Sequence, residues 1–377
     1  MKIATLLFTY NRSKHTSQVI AALKSNIIIP EKLYVFQDGL KNGEDPTEWE
    51  EVNKLIYSID WCNKEIIISE YNKGLAESIV WGINYAFKDY EAVIVLEDDC
   101  VAMVSFIAFM KQCLEHYRFN HQIYCVSGYA WPIDYSKRDN KDIYFSGRMS
   151  SWGWGTWKDR WCEYKRDYDS LRRIKQDKEK SQRLGEWGSD LEDMLVANVR
   201  GDINSWAVFW ALHIIEVGGY CINPVESLIE NIGFDNTGVH CSTSRQFQTK
   251  LMKLEKLKFR LPEEVFFEKN VIREFSSIYG NGLIDNNTVN QVLVYGVGEY
   301  LRKNEKKIYS KYRVLAFIDQ KKCGFRNGIE IIKANKIQNY KYDYIIITLQ
   351  DVGERNKVRK QLIEQYSVKP EKMLFGA

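Results

Sequence analysis

The residues Val93-Ile94-Val95-Leu96 run directly into Glu97-Asp98-Asp99. A short run of apolar, mostly β-branched residues predicts a strand buried on both faces, as in a parallel sheet. Three adjacent carboxylates at the end of such a strand repel one another and lose solvation, which is costly unless a cation neutralises them. Mn²⁺ or Mg²⁺ takes one or two carboxylates together with phosphate oxygens. The turn therefore predicts a divalent-cation site, and the alternatives are a solvated loop or a helix N-cap at Asp99.

Strand and helix patterns alternate before this strand. Apolar, β-rich segments occur at Ile3–Thr9, Lys32–Gln37 and Glu65–Ser69, and helical spacing occurs at Thr16–Ser25 and Gly74–Lys88. Such alternation predicts a parallel sheet that is covered by helices on both faces. The predicted fold class is therefore α/β.

Polar clusters follow three of the predicted strands, at Thr9–Arg12, Gln37–Gly39 and Glu97–Asp99. Ligands of α/β sheets bind outside the carboxyl ends of the strands. Because these ends meet at one edge of a parallel sheet, we expect the three clusters to share a ligand site.

The composition indicates a globular protein of two domains. The chain has 377 residues, of which 45% are hydrophobic and 27% are charged, and this suffices for a sizeable core. The formal net charge of +3 is too small to favour nucleic-acid binding. No run reaches the ~18 apolar residues of a membrane span, and the first residues predict a strand rather than a secretory signal. We therefore expect a cytoplasmic protein without a transmembrane segment, peripheral at most to the inner membrane face.

The eight cysteines are scattered, and none belongs to a Cys-x-x-Cys pair. This scatter predicts reduced thiols, with zinc ligation or disulfides as the less favoured alternative. The positions are Cys62, Cys100, Cys113, Cys125, Cys162, Cys221, Cys241 and Cys323.

A second strand–turn–helix pattern begins near residue 291. Val292–Tyr295 predicts a strand, Gly296-Val297-Gly298 a turn and Glu299–Ile308 a helix, and Asp319 ends the next predicted strand. This order is that of a dinucleotide fingerprint, but Leu301 replaces the third glycine. We expect residues 286–377 to form a small Rossmann-like α/β domain for docking, oligomerisation or regulation, with dinucleotide binding as the alternative. Residues 1–285 then form the first domain, which ends in a charged, helix-compatible connector.

Taken in order, five segments resemble the GT-A-fold glycosyltransferases, and in detail the N-acetylglucosaminyltransferase I family and its bacterial sugar-transferase relatives. The segments are Leu6–Arg12, Val35–Gly39, Val93–Asp99, Cys125–Gly128 and the glycine-rich turn Ser150–Gly155. A segment similar to the closing loop of the bacterial branch follows at Asn231–His240. The resemblance covers roughly residues 1–245, and the Glu-Asp-Asp turn is its most specific part.

The resemblance implies a role for each polar cluster. Asp99 would ligate the metal, Asp98 would lie at the donor sugar or ribose, and Asp38 would accept a hydrogen bond from the base, which suggests uracil. The other donor-binding residues implied are Thr9, Tyr10, Arg12 and His240. A guanidinium suits a diphosphate, and an imidazole can bind metal or phosphate. The alternatives are a plain turn at Asp38, a surface charge at Arg12 and a structural histidine at position 240.

The acceptor side is less well marked. Trp152 and Trp154 could stack on a sugar ring, or they could belong to the core. An inverting transfer needs a base for the acceptor hydroxyl, and two acidic loops compete for that role through Asp202 and Asp190. Asn204 and Ser205 stand where the family pattern would place an acid, so an ordinary loop or cap role for both aspartates stays open.

The sequence thus predicts a metal-dependent transfer of sugar from a UDP-sugar to a hydroxyl of a glycan or lipid-linked glycan acceptor, in a bacterial polysaccharide pathway and with inversion. One rival is a sugar-nucleotidyltransferase, which would want a glycine-rich loop after the first strand. Phe8–Ser13 contains no glycine, and this counts against that rival. The other rival is a non-catalytic carbohydrate-binding or scaffold protein.

Overall fold

The computed structural model divides the chain into two compact units. The first unit comprises residues 1–180 and 198–268, and the second comprises residues 181–197 and 269–377. The residues that the structure describes are 1–133, 141–234, 247, 249–279, 291–309, 312–326 and 329–375.

The first unit is built on an eight-stranded mixed sheet. Its spatial order is β3-β2-β1-β4-β8-β6-β9-β7, and a small antiparallel ribbon pairs β10 with β5. The strands are β1 Ile3–Thr9, β2 Leu33–Gln37, β3 Lys64–Ile68, β4 Ala92–Glu97, β5 Cys100–Ala102, β6 Ile123–Ser127, β7 Ile143–Ser146, β8 Trp154–Trp157, β9 Tyr220–Pro224 and β10 Ile229–Asn231. The neighbouring strands β3, β2, β1 and β4 pair in parallel, whereas β8 runs antiparallel to its neighbours β4 and β6.

Helices connect these strands. In the first unit they are α1 Ser13–Lys24, α2 Thr47–Tyr57, α3 Leu75–Ala86, α4 Phe106–His116, α5 Lys158–Trp161, α6 Ser170–Gln176 and α9 Ala207–Glu216. Helices α7 Lys178–Trp187 and α8 Asp190–Arg200 lie mostly within residues 181–197 of the second unit. Every residue of β1 and β2 is buried, as their continuous apolar sequences predict. Helix α3 approaches the sheet at Gly82, where a Cβ would lie 2.6 Å from the ring of Phe8. The predicted fold class, α/β with a parallel-rich sheet, is confirmed.

The residues after the acidic turn differ from their prediction. A helix N-cap at Asp99 requires a helix directly after the acidic turn, but Cys100–Ala102 forms β5 and pairs with β10. Helix α4 begins only at Phe106. Asp99 is therefore not a helix N-cap, which removes one alternative for the acidic turn.

The connector also differs. The stretch Lys250–Glu274 was expected to be helix-compatible, but a helix, α10 Lys269–Tyr279, occupies only its end. Before it, Met252 and Phe259 are buried in the core of the first unit. Helix propensity is overridden here because Ser105 and Gln112 bind backbone groups of Leu254, Lys256 and Phe259.

The second unit contains a six-stranded sheet of order β13-β14-β12-β11-β15-β16. Its elements after α10 are β11 Gln291–Tyr295, α11 Glu299–Tyr309, β12 Arg313–Ile318, β13 Gly324–Arg326, β14 Ile329–Ile332, β15 Tyr344–Ile347, α12 Val352–Tyr366 and β16 Met373–Phe375. The pairs of β11 with β12 and with β15 are parallel. The strand, turn and helix predicted from residue 292 onward are therefore present.

Candidate functional site

A cavity of about 400 Å³ lies at the carboxyl ends of β1, β2 and β4. Parallel strands bring these ends to one edge of the sheet, as the sequence predicts. The polar residues that line the cavity are Thr9, Tyr10, Asn11, Arg12, Asp38, Lys41, Glu44, Asn72, Ser78, Glu97, Asp98, Asp99, Ser151, Asn204, Ser205 and Asn231. The three clusters identified in the sequence therefore do share one cavity.

The guanidinium of Arg12 lies against the acidic turn. Its Nε donates to Asp98 Oδ2 at 3.2 Å, and its Nη2 donates to Asp98 Oδ1 and, at 2.9 Å, to Asp99 Oδ2. The side chain of Arg12 is only 20% exposed. Within the described part of the chain, its remaining nitrogen, Nη1, is buried without a hydrogen-bond partner. A buried charged donor without a partner is costly, and an anion in the cavity would satisfy it.

Burial dominates the electrostatics of the turn. Desolvation raises the pKa of Glu97 well above its usual value, and the charges of Asp99 and Asp98 raise it further. Desolvation also raises the pKa of Asp98, although Arg12 opposes the shift. For Arg12, burial alone would lower the pKa, but Asp98 and Asp99 outweigh it and the net shift is upward. One guanidinium therefore leaves this group of three carboxylates with excess negative charge.

The residues around Asp99 fit a hard divalent cation that takes further ligands from a phosphate. A Cβ at Gly233 would lie 2.4 Å from Asp99 Oδ2, so only glycine leaves this side of the carboxylate open. Within the described residues, no group of three His, Cys, Asp or Glu could hold a metal by itself. Mg²⁺ and Mn²⁺ do not need such a group, because one or two carboxylates plus substrate phosphates suffice.

Asp38 holds the turn that follows β3. Its Oδ1 accepts the amide hydrogens of Gly39 at 3.0 Å and Lys73 at 2.9 Å, and its Oδ2 accepts that of Gly74 at 2.8 Å. The side chain is buried at the end of β2. A carboxylate offers about four acceptor sites, so one site on Oδ2 remains for a ligand. Asp38 thus has a structural function that its turn-like sequence did not reveal.

Thr9 and Tyr10 form the adjoining wall. The hydroxyl of Thr9 donates to the carbonyl of Phe36 at 3.2 Å. The hydroxyl of Tyr10 donates to Glu44 and accepts the amide hydrogen of Lys41 at 3.1 Å. Burial and the carboxylate of Glu44 raise the pKa of Tyr10 to about 12. Tyr10 therefore stays neutral and fixes the loop after β2.

The two tryptophans assigned to the acceptor side occupy different environments. Trp152 lines the cavity and packs edge-on against Tyr129, with ring centroids 4.6 Å apart. Trp154 is fully buried in β8 and stacks on Trp206 at 4.9 Å. It does not line the cavity, because its ring is enclosed by the rings of Trp206 and Trp161. Trp154 is a core residue, and only Trp152 is placed to meet a ligand.

The candidate bases do not line the cavity. Asp202 is exposed in the loop that follows α8, whereas the residues Asn204 to Ala207 of the same loop do line it. Asp190 begins α8 and belongs to the second unit. His240 lies outside the described residues, as does most of the predicted closing loop.

Several lining residues were not singled out from the sequence. Glu44 belongs to a polar loop with no distinguishing motif, and the hydrogen bonds that it accepts from Tyr10 and Asn11 hold it at the site. Asn72 donates to the carbonyl of Gly39 at 2.7 Å and joins the loops after β2 and β3. The Asn-Lys-Gly sequence at residues 72–74 is a turn signal that could have drawn attention to it.

Part of the chain matches a known family model. Residues 288–374 match the family model described as C2185-like, N-terminal. No curated protein matches the sequence. None of the helices within the described residues has the length and apolar character that crossing a bilayer requires.

Two solved structures illustrate the similarity of fold. The mannosyltransferase PcManGT from Pyrobaculum calidifontis, in complex with GDP-Man and Mn²⁺, is 11% identical at a TM-score of 0.31, and the overlap covers 46% of either chain. S. aureus TarS 1–349, in complex with UDP-GlcNAc, is 15% identical at a TM-score of 0.27, with 37% of this chain and 38% of that chain covered. The chain spans less than half the length of these two proteins, and overlaps at such TM-scores assign no activity to it.

Proposed function

We propose that this protein is a metal-dependent glycosyltransferase that moves a sugar from a UDP-sugar to a hydroxyl of a glycan acceptor. The observation that carries the proposal is the meeting of Arg12 with Asp98 and Asp99 at the wall of the cavity, where Arg12 Nη1 has no partner among the described residues. An unpaired cationic donor next to surplus carboxylates suits a diphosphate that arrives with a divalent cation.

The nucleotide would be held from both ends. Arg12 would donate Nη1 to a phosphate oxygen, and Asp38 would accept the imide hydrogen of uracil at the free site on Oδ2. Thr9 and Tyr10 line the same cavity and would contact the nucleotide. Asp98 would then lie at the ribose or donor sugar.

Asp99 would hold the cation, as Mn²⁺ or Mg²⁺. When bound, the metal supplies a positive charge that offsets the charge of the leaving diphosphate. Arg12 would keep its ion pair with Asp98. The charge of Asp98 would then be neutralised by Arg12, and that of Asp99 by the cation. His240, in the segment outside the described residues, is proposed as a further contact of the diphosphate.

On the acceptor side, Trp152 would stack on a sugar ring and an aspartate would deprotonate the attacking hydroxyl. Asp202 is the first candidate for this base, because its loop continues into the cavity wall at Asn204 and Ser205. Asp190 is the second. With such a base, the sugar would be transferred with inversion.

We propose the same organisation as the sequence predicts, with catalysis in residues 1–285 and a docking, oligomerisation or regulatory role for residues 286–377. A cytoplasmic location, with a lipid-linked glycan as acceptor at the inner membrane face, belongs to the same proposal. Nothing in it requires nucleic acid.

Calorimetric titration with UDP, in the presence and absence of Mn²⁺, tests the proposal directly. Metal-dependent binding is expected, together with slow release of UDP when UDP-sugars, but not GDP-sugars, are incubated with protein and Mn²⁺. Absence of UDP binding would indicate a carbohydrate-binding protein instead. Formation of UDP-sugar and pyrophosphate from UTP and a sugar phosphate would indicate the nucleotidyltransferase.

A further inference from the structure

Two leucines project from the surface of the first unit. Leu254 is 76% exposed and Leu257 is 59% exposed. Both belong to residues 250–262, which we call the basic strap. Leucines exposed to this degree so near each other form an apolar surface that a soluble protein normally buries against something.

Hydrogen bonds from Ser105 and Gln112 fix the backbone of the strap, and with it the exposed positions of these leucines. Ser105 Oγ donates to the carbonyl of Leu254 at 3.1 Å and accepts the amide hydrogen of Lys256 at 2.8 Å. Gln112 both donates to the carbonyl of Phe259, at 2.7 Å, and accepts its amide hydrogen, at 2.8 Å. With Phe259 buried in the core, the backbone between the anchors cannot turn Leu254 and Leu257 inward without breaking these bonds.

The charge of the strap is strongly positive. Residues 250–262 contain five cations, Lys250, Lys253, Lys256, Lys258 and Arg260, against the single acid Glu255, a net charge of +4. Three of the cations are paired, Lys250 with Glu226 and both Lys256 and Arg260 with Asp142. Lys253 and Lys258 are exposed and have no ion-pair partner among the described residues. They flank the two leucines in sequence.

A third exposed apolar residue belongs to a segment that is hydrogen-bonded close to the anchor of the strap. The amide of Ile27 donates to the carbonyl of Val104 at 2.9 Å, and Val104 precedes the Ser105 that anchors the strap. Ile29, two residues after Ile27, is 36% exposed.

We propose that this surface docks the first unit on an anionic phospholipid bilayer, with Leu254 and Leu257 inserted among the acyl chains and Lys253 and Lys258 against the headgroups. Exposed leucines flanked by lysines that have no ion-pair partner among the described residues have the chemistry of interfacial membrane binding. Ser105, which anchors the strap, follows Asp99 by six residues and so lies within about 20 Å of the acidic turn. The proposal does not depend on nucleotide chemistry.

The test is flotation of the full chain, without nucleotide, with vesicles of phosphatidylcholine that contain about one third phosphatidylglycerol. Binding is expected, and it should fall as NaCl is raised from about 50 to about 500 mM. Leu254→Ser combined with Leu257→Ser should weaken partitioning at least about tenfold, since each leucine loses its apolar transfer. Lys253→Glu combined with Lys258→Glu should also weaken it at least about tenfold.

Matched controls separate docking from general effects. Phe119→Ser removes an 80% exposed side chain beyond the opposite end of α4, and Lys158→Glu with Lys165→Glu reverses two exposed charges elsewhere in the first unit. Both controls should bind vesicles like the wild type, and all variants should keep the melting temperature and UDP affinity of the wild type. Equal binding by strap and control variants, or none by the wild type, overturns the proposal. A dimer that the strap substitutions convert to monomer, with vesicle binding unchanged, assigns the surface to a second copy and also overturns it.

Discussion

The two units contain a similar arrangement of strand, turn and helix, but the charged groups at the strand ends differ in whether the protein itself satisfies their hydrogen bonds. In the second unit, Asp319 at the end of β12 accepts the amide hydrogens of Lys321 and Lys322, each at 2.9 Å, and of Val297 at 3.4 Å. In the first unit, the carboxylates after β4 face a cavity, and Arg12 beside them keeps a buried nitrogen without a partner within the described residues.

The glycine turn of the second unit is satisfied in the same way. Gly296 has a φ of +97°, and its carbonyl accepts a hydrogen bond from Thr348 Oγ1 at 2.7 Å. Glu299, which opens α11, pairs with Lys303 at 3.0 Å. The comparison teaches that a strand end whose charges the protein itself leaves unsatisfied indicates a ligand site. The five predictions below test this difference.

The largest effect is expected for Asp99→Asn. Loss of the proposed metal ligand should weaken Mn²⁺-dependent UDP binding by about a hundredfold or more, since even outer-shell changes cost 10–100-fold in metal affinity. Calorimetric titration measures this. Asp319→Asn is the matched control in the second unit and should leave UDP affinity unchanged. Wild-type affinity in the Asp99 variant would falsify the metal assignment.

Asp202→Asn should reduce transfer to acceptor by roughly 10²-fold or more while UDP–Mn²⁺ affinity stays the same, because a general base acts on the acceptor hydroxyl. Turnover with an acceptor glycan, beside a UDP titration, is the measurement. Asp190→Asn is the control and should stay active. If the two results are reversed, the base is Asp190. If both variants are active, the transfer is not base-assisted inversion, and the anomeric configuration of the product, read by NMR, decides the mechanism.

Asp38→Ala should lower the affinity for UDP by one to two orders of magnitude, because it removes a charged hydrogen bond worth roughly 1.5–3 kcal/mol. The requirement for Mn²⁺ should not change. The melting temperature should also fall, because the amides of Gly39, Lys73 and Gly74 lose their acceptor. Asp45→Ala, an exposed turn carboxylate that accepts the amide of Thr47, is the control. Lower stability with unchanged UDP affinity would confine Asp38 to its structural function.

The acidic turn should make the stability of the apo protein depend on pH. The pKa values of Glu97 and Asp98 are raised by burial, so these groups favour the folded state while protonated. Their contribution is lost as pH rises from the ordinary carboxyl range, about 4, through the raised values. Asp99→Asn removes one charge that raises both pKa values, so its melting temperature relative to wild type should increase from pH 4 toward pH 7, as calorimetry can follow. A constant difference would contradict the proposed repulsion.

The smallest effect on stability is expected for Asp319 in the second unit. Its dependence on pH should have the opposite sign to that of the acidic turn. Burial alone would raise the pKa of Asp319, but the backbone amides outweigh it and the net shift is downward. Its stabilisation is therefore present above about pH 4 and lost as pH falls through the lowered value. Asp319→Asn should lower the stability of the full chain by about 1 kcal/mol at neutral pH, and less in acid, by denaturant titration. A loss that grows in acid would contradict this account.

The sequence by itself was sufficient for the α/β fold class and for the strand ends that meet in the cavity. Val93–Leu96 could only be a doubly buried strand, since its apolar side chains have no polar face. The alternation of strands and helices then brought Thr9, Asp38 and Asp99 to one edge. These are local and periodic properties, and sequence patterns record them directly.

Only the tertiary structure decided which polar groups are satisfied. Asp38 proved to bind three backbone amides from loops 35 residues apart, Arg12 proved to bridge Asp98 and Asp99, and Trp154 proved to be a core residue. The basic strap shows the same limit. Its sequence is compatible with a helix, but hydrogen bonds to Ser105 and Gln112 hold it in a non-helical conformation. Hydrogen bonds and burial between segments distant in sequence have no periodic signature, so a single sequence cannot display them, whereas the folded chain does.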